Sequence, residues 1–157
     1  MAISYQKIIV PMDGSQLAEC VLPHVEAIAL ACQVGAVELV RVVPLVELHI
    51  KGGMPVSDSQ EKELNEEAVE EAKTYLNKVK KILAKKGIPV TTKVLTGPTA
   101  KVLADYIDKS GADLVIISTH GRSGPSRWVW GSIADRLLHS TCTPILMIRA
   151  PGCIPGL

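Results

Sequence analysis

Short runs of β-branched residues alternate along this chain with longer segments in which apolar residues recur every three or four positions. The short runs are typical of strands buried in a parallel sheet, and they predict strands over residues 8–10, 37–43, 90–95, 114–117 and 144–148. The longer segments predict helices over about residues 16–33, 57–86, 98–110 and 132–139. Because strands and helices alternate, the order indicates a doubly wound parallel sheet with right-handed crossovers and helices on both faces.

Glycine and polar capping residues mark the ends of these elements. Gly35 is expected to end the first helix. Ser57 and Gln60 have the spacing of a capping box, which predicts the start of the second helix. We therefore expect one domain over residues 1–149, followed by a flexible C-terminal tail over the Pro- and Gly-containing residues 150–157.

Composition narrows the functional classes. The 157 residues include 17 Lys and Arg against 16 Asp and Glu, so the net charge of +1 offers no broad field that would attract nucleic acid or an anionic membrane. Aromatic residues make up 3% of the chain and Phe is absent, which disfavours stacking on single-stranded nucleic acid. We therefore expect neither a nucleic acid nor a membrane as a partner.

The location and the metal content are also predicted from the sequence. The apolar segments are too short to span a membrane, and the N-terminus lacks the pattern of a signal peptide. The four cysteines form no C-x-x-C pair, and the only close metal-ligand partner, His139 near Cys142, stands alone, which favours a reducing compartment. We expect a cytoplasmic protein in which these cysteines form no metal site.

The first loop that could bind a ligand follows the first predicted strand and contains Asp13. In open parallel sheets, ligands bind beyond the carboxyl ends of the strands, at the point where the strand order reverses. Asp13 either caps the following helix, a common role for Asp, or uses its carboxylate on ribose hydroxyls or a divalent metal ion.

The second loop is rich in glycine. Gly121 and Gly124 permit a close backbone approach, and Gly131-Ser132 precedes a helix whose free N–H groups could hold a phosphate. The alternative is a surface loop in which Ser132 caps the helix. His120 is either a polar loop residue or a catalytic base. The P-loop motif and G-x-G-x-x-G are absent, which disfavours the usual P-loop and dinucleotide sites.

Three segments of the chain resemble the universal stress protein family. The motif of its ATP-binding branch is Gly, two residues, Gly, nine residues, and then Gly-Ser or Gly-Thr. Here Ser118 takes the first position, Gly121 follows at the same spacing, and nine residues separate it from Gly131-Ser132. The opening Ile-Ile-Val-Pro-Met-Asp-Gly-Ser and the closing Thr-Pro-Ile-Leu-Met-Ile-Arg are also family-like, so the resemblance covers about residues 5–149.

The resemblance implies a fold and a ligand. The fold is α/β, a single-domain doubly wound five-stranded parallel sheet in the order 3-2-1-4-5, of the adenine nucleotide alpha hydrolase-like type. The ligand is ATP, held in the crevice between the first and fourth strands. Carried over by position, Asp13 lies near the ribose and could reach a Mg²⁺ ion through the ATP, and Val42 meets the adenine through its backbone. The nucleotide-binding residues implied in this way are Pro11, Met12, Asp13, Val42, Ser118, His120, Gly121, Arg122, Gly131, Ser132 and Ile133.

The family also forms homodimers through its last strand. In this chain that strand contains Ile145, Leu146, Met147 and Ile148, an apolar stretch that invites pairing when it lies bare at the edge of a sheet. A second copy related by two-fold symmetry would cover it. The alternative is an edge covered by the chain's own helix and tail.

These features together predict a cytoplasmic homodimer that binds ATP as a regulatory ligand in a stress response, with at most weak ATP hydrolysis and no catalytic residue. Two alternatives stay open. Ser118 in place of the motif glycine favours a nucleotide-free dimer that acts through contacts with other proteins. A slow ATPase would instead use a metal ion held by Asp13, together with His120.

Overall fold

The computed structural model describes residues 4–45, 58–119 and 132–149, with the backbone alone at Asp58 and Ser132. Within these ranges the helices and strands follow the predicted alternation. In chain order they are β1 Lys7–Pro11, a 3-10 helix Ala18–Val21, α1 Leu22–Ala31, β2 Ala36–Val43, α2 Asp58–Ala84, β3 Val90–Thr96, α3 Thr99–Ser110, β4 Leu114–Thr119, α4 Ser132–Ser140 and β5 Ile145–Arg149.

The five strands form one parallel sheet in the order β3-β2-β1-β4-β5. This confirms the doubly wound α/β fold and the strand order that the resemblance implies. The chain first builds outward from β1 through β2 to β3, and then crosses back to add β4 and β5 on the other side of β1. The strand order therefore reverses between β1 and β4, and a crevice opens at their carboxyl ends.

Two apolar layers hold the helices to the sheet. One layer packs α1 and α2 against one face, and the other packs α3 and α4 against the opposite face. The central strand β1 contributes side chains to both layers, because successive strand residues point to opposite faces. Ile8 and Val10 enter the α1/α2 layer and Ile9 enters the α3/α4 layer, and all three side chains are fully buried.

The first helical region differs from the predicted single helix over residues 16–33. A 3-10 helix, Ala18–Val21, comes first, and α1 begins only at Leu22. Pro23 has no N–H, so it cannot donate the bond to the Glu19 carbonyl that a continuous α-helix requires. The Leu22 N–H donates to that carbonyl instead, with the shorter spacing of a 3-10 turn.

Gly35 also has another role than the predicted helix stop. The left-handed residue that follows α1 is Gln33, whose φ is 50°. Gly35 instead lets the chain pass close to Gln6, because a Cβ at position 35 would lie 3.0 Å from the Gln6 carbonyl oxygen. That carbonyl accepts a 2.9 Å hydrogen bond from the Ala36 N–H, which aligns the start of β2 beside β1.

The predicted tail over residues 150–157 and the Ser57 end of the capping box lie outside the described residues. In the described part of the chain, none of the helices combines the length and the apolar character needed to cross a membrane.

Candidate functional site

A cleft of about 210 Å³ lies at the carboxyl ends of β1, β2 and β4, where the strand order reverses. Its walls come from the strand ends, from the turn after β1, and from the first turns of α3 and α4. The described residues that line it are Pro11, Met12, Asp13, Ala18, Val40, Val42, Thr99, Leu103, Ile117, Ser118, Ile133 and Ala134.

The walls of the cleft are mostly apolar. Val40 and Val42 present two successive side chains on the α3/α4 face of β2, and Leu103 comes from α3 on that side. Ile117 at the end of β4 and Ile133 at the start of α4 complete this surface. Such an apolar slot favours a ligand with an apolar body.

The polar groups lie on the turn that follows β1. The Asp13 carboxylate accepts a 2.8 Å hydrogen bond from the Ser15 N–H, and the Ser15 hydroxyl accepts a 3.1 Å bond from the Ala18 N–H. Between them Gly14 has a φ of 92°, a backbone conformation that residues other than glycine rarely adopt. Asp13 itself is exposed, so its carboxylate, which can accept several hydrogen bonds, stays accessible to a ligand.

The turn is also anchored to β2 and supported from the other side of the sheet. The Met12 N–H donates a 2.8 Å hydrogen bond to the Val40 carbonyl, which continues the strand pairing past β1. The guanidinium of Arg41 lies against Gly14, on the face of β2 opposite to the apolar slot. Sequence patterning did not identify Arg41 as part of the site.

Tyr75 of α2 lies next to this arginine. Its ring centroid is 5.5 Å from the Arg41 guanidinium carbon. Burial raises the pKa of the Tyr75 phenol above its ordinary value, and the nearby carboxylates of Glu19 and Asp13 add to the rise while Arg41 opposes it. The buried Tyr75 hydroxyl lies near the Glu19 and Asp13 carboxylates but makes no hydrogen bond of normal geometry with them.

The structure brings together in one cleft six of the residues that the resemblance implies for the site: Pro11, Met12, Asp13, Val42, Ser118 and Ile133. Ser118 lies in strand β4, which extends to Thr119, two residues beyond the predicted end of that strand at residue 117. The other implied residues are His120, Gly121, Arg122, Gly131 and the side chain of Ser132, and they lie outside the described residues.

Other cleft residues were missed in the sequence. Thr99 is the first residue of α3 and follows the turn Gly97-Pro98. Its position just after the end of a predicted strand could have identified it as a cleft residue. Val40 shares its strand face with Val42 and could have been found from the two-residue period. Within residues 4–45, 58–119 and 132–149, no three His, Cys, Asp or Glu side chains come together in a way that could hold a metal ion.

Comparison with known proteins agrees with the fold. The family model described as the universal stress protein family matches residues 4–149. Universal stress protein MJ0531 of Methanocaldococcus jannaschii is 32% identical over 149 residues, which cover 94% of this chain and 84% of that protein.

Solved structures share the same architecture. The structure of MJ0577, also from Methanocaldococcus jannaschii, matches with a TM-score of 0.79 at 25% identity, covering 96% of this chain and 99% of the other. A universal stress protein crystallised in complex with cAMP has the same fold, with a TM-score of 0.62 at 16% identity over 94% of this chain and 98% of the other. The family model spans almost the whole chain and a relative exceeds 30% identity, so this chain belongs to the universal stress protein family.

Proposed function

We propose that this protein binds an adenine nucleotide, ATP in particular, as a regulatory ligand in the cleft at the carboxyl ends of β1 and β4. The observation that carries the proposal is the combination found there: an apolar slot, an accessible carboxylate and the start of a helix, all at the point where the strand order reverses. A related protein with this fold has been crystallised with cAMP, which is itself an adenine nucleotide.

The nucleoside part of the ligand suits the described walls. Small-molecule pockets generally have volumes of about 300–1,000 Å³, so a cleft of about 210 Å³ accounts for one part of such a ligand. The adenine would lie against Val40 and Val42, with its edge toward the β2 backbone. The Asp13 carboxylate at the mouth would accept hydrogen bonds from the ribose hydroxyls, as an acidic residue does in other nucleotide-binding sheets.

The phosphates would extend toward the beginning of α4. Ile133 and Ala134 line the cleft, so the first turn of α4 is close to it, and its free N–H groups and positive dipole end favour an anion. The proposed phosphate contacts of His120, Gly121, Arg122, Gly131 and the Ser132 hydroxyl, and a Mg²⁺ ion that reaches Asp13 through the ATP, belong to the same proposal.

In this proposal ATP acts as a regulatory ligand and is not consumed as a substrate. The Asp13 carboxylate is already engaged with the Ser15 N–H, an arrangement suited to accepting further hydrogen bonds from ligand hydroxyls. We expect ATP hydrolysis to be slow, because the sequence places no carboxylate pair and no Ser/His/Asp constellation where it would activate a water molecule. Release of ADP above that of a His120→Ala variant would support the slow ATPase in place of the regulatory ligand.

A thermal-shift titration with ATP and Mg²⁺, beside GTP and Mg²⁺, tests the proposal. At about 100 times its dissociation constant, ATP should add roughly 2.7 kcal/mol of stability and raise Tm by several degrees. We expect a saturable shift with ATP, a smaller one with GTP, and a loss of about tenfold in ATP affinity for Asp13→Ala, the value of one hydrogen bond to a charged group. A flat response from protein that also releases no nucleotide on denaturation would contradict the proposal and favour the nucleotide-free dimer.

We also propose that two copies pair through β5. The sheet has two edges of different character: β3 at one edge carries Thr91, Thr92 and Lys93, whereas β5 at the other is an apolar strand. Polar and charged residues protect an edge from pairing, and a bare apolar edge invites it. The first four residues of β5 are only partly buried within one chain; they are Ile145, Leu146, Met147 and Ile148.

Light scattering on purified protein tests the pairing. We expect a mass of about twice 16.8 kDa for the parent and a shift toward the monomer for Met147→Lys, because a charge would have to be buried between the two copies. Thr91→Lys, an exposed position on the opposite edge strand, is the matched control and should leave the mass unchanged. A monomeric parent, or an unchanged mass for Met147→Lys, would contradict pairing through β5.

A further inference from the structure

Arg41 occupies a place in β2 where an apolar residue would be expected. It lies on the same strand face as Val37 and Leu39, which are buried under α1 and α2. Its own side chain is only 18% exposed. A charged side chain that is mostly buried is costly unless it is paired, so the contacts of its guanidinium show what holds it there.

One side of the guanidinium lies directly against the turn that carries Asp13. A Cβ placed on Gly14 would lie 3.1 Å from Cζ, 3.1 Å from Nη1 and 3.2 Å from Nη2 of Arg41. Three atoms of the planar group at nearly equal distances mean that its flat side faces Gly14. Both the positive φ of 92° and this close approach therefore favour glycine at position 14.

Further contacts of the guanidinium come from α2. The Tyr75 ring centroid is 5.5 Å from Cζ, within the range of a cation–π contact. Glu71, one helical turn earlier, places Oε1 3.6 Å from Nη2. Arg41 thus contacts both helix α2 and the turn that follows β1.

The charges around the arginine explain why a cation suits this place. Burial raises the pKa of the Tyr75 phenol most, the Glu19 and Asp13 carboxylates raise it further, and Arg41 lowers it. Glu71 adds a third carboxylate that contacts the guanidinium itself. Without Arg41, these three carboxylates would lose the positive charge that lies beside them.

We propose that Arg41 is a positioning residue that fixes the Gly14 turn so that the Asp13 carboxylate faces the ribose hydroxyls, and that it thereby sets the preference of the site for a ribonucleotide. This inference rests on the proposed function, since it concerns the sugar end of the same cleft. Arg41 lies on the other face of β2 from the apolar slot and acts on the ligand only through Asp13.

The test compares ATP with 2′,3′-dideoxy-ATP, which lacks both ribose hydroxyls. We expect the parent to bind ATP about tenfold more tightly than the dideoxy nucleotide, the value of a hydrogen bond to a charged group. In Arg41→Gln this ratio should fall to about threefold or less, because a misplaced carboxylate loses the hydroxyl contact while the adenine and phosphate contacts remain. Isothermal titration calorimetry measures both dissociation constants.

Three further variants separate positioning from stability. Arg41→Lys keeps the charge without the flat guanidinium, and it should restore part of the ratio and serve as the test if Arg41→Gln does not fold. Lys7→Gln removes a cation from the other end of the sheet, so it should lower Tm and leave the ratio unchanged. Asp13→Ala should abolish the ratio, and adding Arg41→Gln to it should change the ratio no further.

The outcomes distinguish the two proposals. A parent that binds no ATP overturns the proposed function and this inference with it. A parent that binds ATP with the expected ratio, together with an Arg41→Gln variant that keeps that ratio, overturns the inference alone. A parent that binds ATP and the dideoxy nucleotide equally well also overturns the inference, because Asp13 would then make no contact with the ribose.

Discussion

Two charged clusters flank β2, one at each end of the sheet, and they differ in how fully their polar groups are paired. At the amino end, Lys7 lies 2.9 Å from the Glu38 carboxylate, which also accepts a 3.0 Å hydrogen bond from the Tyr106 hydroxyl. At the carboxyl end, Arg41 contacts Glu71 at 3.6 Å and the face of Tyr75, whose buried hydroxyl makes no hydrogen bond of normal geometry.

The difference separates a cluster whose polar groups are paired within the fold from a cluster that leaves polar groups available. In the first, the Glu38 carboxylate has two partners at hydrogen-bond distance and its side chain is 12% exposed, so the cluster fastens α3 to the sheet. In the second, the ion pair between Arg41 and Glu71 is longer, and Asp13 remains accessible at the mouth of the cleft. Groups at functional sites commonly keep such incomplete pairing, whereas groups that only stabilise a fold are satisfied internally.

Breaking the amino-end cluster should have the largest effect on stability. Glu38→Ala removes the partner of both Lys7 and Tyr106, and we expect the free energy of unfolding to fall by about 3 kcal/mol, near the lower end for a broken buried pair because Lys7 stays partly exposed. Urea denaturation measures the change. Glu63→Ala on the exposed face of α2 is the control and should change stability by less than about 0.5 kcal/mol. A loss below about 1 kcal/mol for Glu38→Ala would contradict this assignment.

Removing only the phenol hydroxyl from the same cluster should have a smaller effect. Tyr106→Phe deletes the 3.0 Å hydrogen bond to Glu38 and leaves the ion pair with Lys7, so we expect a loss of about 1 kcal/mol. The same denaturation experiment measures it. An unchanged midpoint at an unchanged m-value would show that water replaces the hydroxyl without cost.

The same tyrosine predicts a dependence on alkaline pH. Burial, the hydrogen bond to Glu38 and the charge of Glu38 raise the pKa of Tyr106 to about 12. The folded protein therefore holds this proton more tightly than the unfolded chain, whose tyrosine titrates near 10. The resulting stability is complete below about pH 10 and is lost as the pH rises toward about 12. Denaturation midpoints at several alkaline pH values should fall more steeply for the parent than for Tyr106→Phe, and parallel curves would argue against the prediction.

The equivalent change in the carboxyl-end cluster should have the smallest effect. Tyr75→Phe removes a buried hydroxyl that has no hydrogen bond of normal geometry, so we expect a change near zero or a slight gain in stability. The ring and its contact with Arg41 are kept. A loss comparable to that of Tyr106→Phe would mean that the hydroxyl is paired in solution and that the two clusters are alike.

Much of the fold was predictable because strand and helix patterns are local. The β-branched runs indicated all five strands, and the apolar periodicity indicated the helices that cover them. The errors arose where one residue or one contact overrides the pattern. Pro23 converts the start of the first helix into a 3-10 turn, and the close contact with Gln6 explains Gly35 better than a helix stop does.

The site was predictable only in part. The family resemblance placed Asp13 and Val42, which the structure brings into one cleft. The supporting contacts of Arg41 depend on which elements pack together, and no local pattern contains that information. A signal was nevertheless present: Glu38 and Arg41 are charges inside a strand predicted to be buried, and such charges need partners. Each marks one of the two clusters.

The strand order has a consequence for the synthesis of the chain. A ribosome releases β1, β2 and β3 first, and these three strands are neighbours that can pack with α1 and α2 while the rest is still being made. One side of β1 stays open until β4 emerges, and β5 is added last, at the outer edge. The molecule is therefore assembled from one side to the other, and the apolar edge strand is exposed to the cell only after the rest of the sheet has been synthesised.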